Sequence, residues 1–180
     1  MHTANDILNF WFNELTPKQW FDKDDGLDAE IRERFRQLHQ RAAHCELYEW
    51  RQTPKGRLAE IIVLDQFSRN IYRNQARAFA CDPLALSLAQ EVVAQGIDKQ
   101  FKPPHIGFLY LPYMHSESIR IHEVAMQLYS QPGLEDSLDF EIRHKEILAR
   151  FGRYPHRNKA LGRPSTAEEI EFLKQPGSGF

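Results

Sequence analysis

Apolar side chains recur along the chain at spacings of three and four, and the breaks between the recurrences carry helix punctuation. Thr53-Pro54 opens one such run through Leu58, Ile61, Ile62 and Leu64. Asp82-Pro83 opens another through Leu84, Leu88 and Val92 to Gly96, with an Asp acceptor to cap the helix and a Pro ring that tolerates its first turn. Gly96 suits the left-handed residue that ends a helix. Thr166 and Glu169 have the spacing of a capping box ahead of Ile170 and Leu173. Further helices are predicted over roughly 3–14, 28–44, 116–130 and 137–151, separated by Gly26, Asn74, Pro103-Pro104 and Pro132-Gly133. No run alternates apolar and polar residues between turn signals, so strands are not expected. The pattern predicts an all-α fold, one domain over 1–180, of about seven helices in antiparallel hairpins. Residues 164–180 form its C-terminal helix and short tail. A 34-residue repeat and the tetratricopeptide signature are not visible.

Some polar residues fall where the core should be. Asp65 and Arg69 continue the stripe of Leu58, Ile61 and Ile62 and stand four apart, close enough to pair. Glu117 precedes a stripe of Ile121, Val124, Ala125 and Leu128. His144 sits among Phe140, Ile147, Leu148 and Phe151. Charges in such places are costly unless paired or bound. Either each is satisfied alone, Asp65 by Arg69 and His144 by a carbonyl, or they meet in one polar cleft between helices. Two segments favour the cleft. His115-Ser116-Glu117 follows the link Pro112-Tyr113-Met114 at a helix start, where free N–H groups favour an anion or a Ser116 cap. After the helix carrying His144 come Arg150, Phe151, Gly152, Arg153, Tyr154, Pro155, His156, Arg157 and Asn158. Gly152 can end the helix and Pro155 fixes a turn, so arginines that suit carboxylate or phosphate splay around a loop.

Composition adds exclusions. The chain has 180 residues, 42% apolar and 27% charged, the balance of an ordinary globular protein. At that length roughly 70% of the unfolded surface is buried on folding, so no covalent staple is required. Cys45 and Cys81 match no zinc or disulfide pattern and read as buried structural thiols. With no Lys or Arg before Lys18 and only short apolar runs, neither a signal peptide nor a membrane span is expected, and the chain reads as cytoplasmic. Phe10-Trp11-Phe12 and Trp20-Phe21 read as core anchors. Charge is uneven: residues 1–30 hold seven acids against two lysines, and residues 141–163 hold seven bases against two glutamates. Contact between these two ends is one expectation, and an anion facing the basic segment is the other. Metal templates fit poorly. Glu141-x-x-His144 lacks the second copy of a di-iron bundle, and His115-x-Glu117 lacks the cysteine pair of the zinc deaminases. No metal and no cofactor are expected, and no Walker, dinucleotide or nucleophile-elbow motif is present.

Longer strings carry a resemblance. Phe10-Trp11-Phe12, Trp20-Phe21, Thr53-Pro54-x-Gly56, Leu64 to Asn70, Ala78-Phe79-Ala80-x-Asp82-Pro83-Leu84-Ala85, Leu109 to Glu117, Arg150 to Asn158 and Leu161-Gly162-Arg163 occur in order over essentially the whole chain. Together they resemble the bacterial family catalogued as domain of unknown function 924. The resemblance implies a tetratricopeptide-like α-α superhelix of helical hairpins, with no established activity. Ser68 stands where that family usually has proline, and Tyr113 and Tyr154 where phenylalanine is common. The strings coincide with the inward-pointing set: Asp65, Arg69, Asn70, His115, Glu117, Arg150, Arg153, His156, Arg157 and Asn158.

Two functional expectations follow. The first is a polar cleft that binds a small anionic ligand, with hydrolase or transferase chemistry as its catalytic form. Its ligand-binding set is Asp65, Arg69, Asn70, His115, Ser116, Glu117, His144, Arg150, Arg153, His156, Arg157 and Asn158, with Arg69, Arg153 and Arg157 on the anion and His115 or His156 as acid or base. The second is a tetratricopeptide-like module that binds a peptide or protein segment without catalysis. Nucleic acid is the weakest partner, because the remainder of the chain is acidic and no recognition motif is present.

Overall fold

Capping residues set most of the helix starts. Thr3 caps α1 (Ala4–Asn9) in a capping box with Asp6, and the helix runs on through a π-helical turn, Phe10–Glu14. α2 (Pro17–Phe21) follows Thr16, and α3 (Asp25–Ala43) is capped by the Asp24 carboxylate, which accepts from the N–H groups of Gly26 and Leu27. Thr53 caps α4 (Pro54–Ile62), which passes through a second π-helical turn, Val63–Phe67, into α5 (Ser68–Ile71). α6 (Asp82–Ala94) is followed by Gly96 at φ 67°, and α9 (Glu135–Phe151) is ended by Gly152 at φ 69°. α7 (His105–Met114) and α8 (Ile119–Tyr129) lie between them, and the Thr166–Glu169 capping box opens α10 (Ala167–Phe172). These elements come from a computed structural model that describes residues 2–179. Met1 and Phe180, the two ends of the expected 1–180 domain, lie outside the described residues.

The fold is all-helical, with no strand among the described residues. With α4 and α5 taken as one run, the described residues hold nine helices, against the seven expected. α2 and α7 are the additional ones. Five residues are too few to display a period, which hid α2. α7 was read as a proline-broken link, yet Pro112 lies inside the helix. The helix is apolar all round because it runs through the core, with Ile106, Phe108, Leu109, Tyr110, Tyr113 and Met114 all buried. α8 accordingly begins at Ile119 instead of at residue 116, and Ser116 is not its cap. Asp82 likewise sits in the first turn of α6 instead of capping it.

The core is one large cluster with an aromatic centre. Phe35 contacts Phe10 and Phe67 at ring separations of 4.9 and 5.0 Å, and Trp11 meets Phe108 edge-on at 5.6 Å. The N-terminal aromatics act as anchors as expected, although Phe21 stays 71% exposed. Ile147, Leu148 and Tyr154 form a small satellite, packed by Phe151 and Phe172. α7 packs on α8 and α8 on α9, while α3 lies against the second π-helical turn and α5. Two stripes differ from expectation. α8 buries His122, Ala125 and Tyr129 and leaves Val124 exposed; α9 buries Glu141, His144, Ile147 and Leu148 and leaves Phe140 exposed. On both helices the buried face carries the hydrogen-bonded pair His122 and Glu141 in place of the most apolar side chains. Cys81 is buried but Cys45 is exposed, at a positive φ of 60°. No helix among the described residues is long and apolar enough to cross a membrane.

Candidate functional site

The π-helical turn Val63–Phe67 carries Asp65, which is 1% exposed. Arg69, on the following turn, donates through Nη1 to the Asp65 carbonyl at 2.9 Å and lies 3.3 Å from its carboxylate. The same guanidinium grips both oxygens of Asp82, at 2.9 and 3.0 Å. His115, the residue that closes α7, places Nδ1 2.7 Å from Asp65 Oδ1. An ionised Asp65 can only accept, so Nδ1 carries the proton and Nε2 is left as a base, with no hydrogen-bond partner among the described residues. Arg157 completes the group from the short turn Pro155–Arg157. Its Nη2 donates to the His115 carbonyl at 2.9 Å, its Nη1 lies 3.5 Å from Asp82, and its guanidinium stacks over Phe79 and Tyr154.

The electrostatics follow from burial among opposed charges. Burial pushes the Asp65 carboxyl up, but Arg69 and His115 outweigh it and hold the group well below the usual carboxylate range. Burial and the Arg69 charge lower His115, against the pull of Asp65, so the ring is neutral at pH 7. Burial and Arg69 draw Arg157 down to about 10, against Asp82 and Glu117. Arg157 remains protonated at neutral pH, and its buried Nε has no hydrogen-bond partner.

A second layer locks this group in place. Glu117 accepts the Tyr154 N–H at 2.7 Å and both arms of Arg163, at 2.7 and 2.9 Å. The Tyr154 hydroxyl donates to the Met114 carbonyl at 2.6 Å and accepts from His122. His122 Nε2 faces the Ser116 carbonyl and therefore carries a proton, while Nδ1 shares a second with Glu141 at 2.6 Å; burial raises the Glu141 carboxyl. His144 makes the carbonyl bond expected of a satisfied core histidine, to Phe140 at 2.7 Å, and its ring stands 5.6 Å from that of Tyr154. Burial pushes His144 down to about 3; His156, beside Tyr154, is pushed to about 3 by burial and then by Arg157 and Arg69.

The expected residues therefore divide. Asp65, Arg69, His115 and Arg157 come together, with His156 and His144 reached through Tyr154. Glu117 and Ser116 support the group from the α7–α8 link. Four others face elsewhere. Asn70 donates to Asp28, which also binds Arg73. Arg150 pairs with Glu168, and Arg153 pairs bidentately with Glu169, to which Asn158 also donates. Among the described residues no ion pair joins the acidic and basic ends: the basic segment pairs with Asp82, Glu117, Glu168 and Glu169 instead. Sequence reasoning missed Asp82, which looks like a helix cap, and the buried His122 and Tyr129, which stand three before and four after the expected Ala125. Among the described residues, no group of three or more His, Cys, Asp or Glu side chains is placed to hold a metal.

A model of a family described as a bacterial protein of unknown function (DUF924) matches residues 7–177. A solved structure of a protein of unknown function from Agrobacterium tumefaciens is similar, with a TM-score of 0.89 and 39% identity over 95% of this chain and 96% of that one. No curated protein matches the chain.

Proposed function

The chain belongs to that bacterial family of unknown function, and from this premise we propose that the Asp65–Arg69–Asp82–His115–Arg157 cluster binds a small anionic ligand. One observation carries the reading. Arg157 is 6% exposed, its buried Nε has no partner, and its nearest carboxylate is already held by both arms of Arg69. Arg157 is thus short of one acceptor oxygen, and a carboxylate or phosphate would supply it. The cluster also reaches the surface: Arg69 is 20% exposed and Asp82 and His115 14% each. A neutral His115 oriented by Asp65, with Nε2 free, is arranged to take a proton from a bound ligand or from water, which is the route to hydrolase or transferase chemistry.

The experiment is thermal unfolding in inorganic phosphate, pyrophosphate and malonate, with wild type and Arg157→Gln. The expected result is anion-dependent stabilisation of the wild type, and about tenfold or more loss of affinity in the variant, the worth of one charge-assisted hydrogen bond. Equal response of both proteins, or none in either, overturns the reading. If Arg157→Gln does not fold, Arg157→Lys keeps the charge and removes the Nε donor. The tetratricopeptide-like peptide-binding module is the competing reading. Its support is the exposed apolar side chains Ile119 and Val124 on α8 and Phe140 and Ile142 on α9. It expects His115→Gln to be neutral for binding and changes at those side chains to abolish it.

A further inference from the structure

A groove of about 560 Å³ opens beside the last turns of α3. Its walls include Gln37, Gln40, Tyr72, Arg77 and Cys81, and its volume suits a small ligand. His39 also lines it and is 4% exposed. The Ser68 hydroxyl donates to the Leu64 carbonyl, so the 2.7 Å contact from Ser68 Oγ to His39 Nε2 must be donated by the ring. The proton is on Nε2, and Nδ1 keeps a bare lone pair. That buried Nδ1 has no hydrogen-bond partner. An unpaired buried acceptor is costly and asks for a donor.

The second element is Arg77. It is exposed, its Nη2 donates to the Tyr72 hydroxyl at 3.2 Å, and its guanidinium lies 4.3 Å over the Tyr72 ring. No carboxylate pairs with it among the described residues. It is a held cation with no counter-charge, close enough to His39 to add to the burial that lowers that ring's basicity to about 4. The ring therefore stays neutral, and its Nδ1 stays unprotonated, across the physiological range.

We propose that this groove is a second binding site, for a small anion that carries a hydroxyl beside its charge, of which a 2-hydroxy acid is the simplest. Arg77 takes the carboxylate, and His39 Nδ1 accepts the hydroxyl proton. The pair acts as a test of chemistry: an acid without the hydroxyl satisfies Arg77 and leaves His39 bare.

The experiment is a titration of histidine-labelled protein with glycolate and with acetate, following the nitrogen resonances of His39. Glycolate is expected to shift Nδ1 and to bind about tenfold tighter than acetate, the worth of one hydrogen bond to a buried group. Arg77→Gln, at an exposed position, is expected to weaken both acids by about tenfold or more. Both affinities are read at the His39 nitrogens, so a carboxylate bound at the Arg157 cluster does not enter them. Equal affinities for the two acids, an unmoved Nδ1, or an indifferent Arg77→Gln overturns the proposal. Because the Nδ1 shift is read in the unaltered protein, the test does not depend on the folding of any His39 variant.

Discussion

Replacing Asp82 with Asn removes one negative charge from the cluster without changing its shape. The carboxylate is 14% exposed, gripped by Arg69 at 2.9 and 3.0 Å and approached by Arg157 at 3.5 Å. Breaking a buried pair by removing one partner costs roughly 3–5 kcal/mol, because a charge is left without compensation. Arg69 keeps Asp65 at 3.3 Å and Asp82 is partly hydrated, so the lower end, about 3 kcal/mol, is expected. For a domain of this size that is a fall of about 6–12 °C in Tm. The second half of the prediction separates a scaffold from a site. With the carboxylate gone, two guanidiniums face a neutral amide, and an added anion should bind more tightly than in the wild type. Phosphate at ten times its Kd restores about 1.4 kcal/mol. The assay is thermal unfolding of both proteins in phosphate, with sodium chloride at matched ionic strength as the control. A loss below about 1 kcal/mol refutes the buried-pair energetics. Equal recovery in phosphate and chloride refutes the anion site.

Three further predictions concern stability. His39, His144 and His156 titrate near 4, 3 and 3 in the folded chain, below the value of about 6.5 expected unfolded. The unfolded state therefore takes up protons first; stability is full above pH 6.5 and falls by up to about 2 kcal/mol per histidine between pH 6.5 and 4.5. Urea unfolding across that range checks it, and His144→Gln should flatten the slope; an unchanged slope refutes it. Gly56→Ala would place Cβ 2.0 Å from the Trp50 carbonyl oxygen, a backbone atom that cannot step aside. A loss of about 2–3 kcal/mol is expected despite the better helix propensity of Ala, and a gain in Tm refutes the close approach. Glu169→Gln breaks the Arg153 pair and weakens the Thr166 capping box, and should loosen α10 in hydrogen exchange while leaving anion binding at Arg157 intact.

Helix type and most helix starts were legible because capping and periodicity are local. Thr53-Pro54, Thr166 with Glu169, Gly96 and Gly152 each act where their chemistry places them. α7 was not legible, since a helix buried on every face has no polar side to reveal a period, and its proline looked like a break. For the site, inward-pointing charges were detectable as violations of an apolar stripe, which is how Asp65, Arg69 and His144 were found. Their partners were not. Asp82 sits in a position where Asp is ordinary, and only the fold brings it to Arg69, thirteen residues on. Arg153 and Arg157 look equivalent in the sequence, yet the turn at Pro155 sends one to Glu169 and the other to Asp82.

That division bears on why the charges are there. Arg150, Arg153 and Arg163 each meet one carboxylate, and those pairs need no explanation beyond holding the C-terminal segment against the end of α9 and the α7–α8 link. The cluster differs. Asp65, Arg69, Asp82 and Arg157 are buried or nearly so, and well-packed apolar residues in such places are often as stabilising as ion pairs. A fold that keeps two guanidiniums side by side, one with a bare Nε, gains little stability from the arrangement. His39 Nδ1 is bare as well, beside a separate groove whose wall includes Cys81.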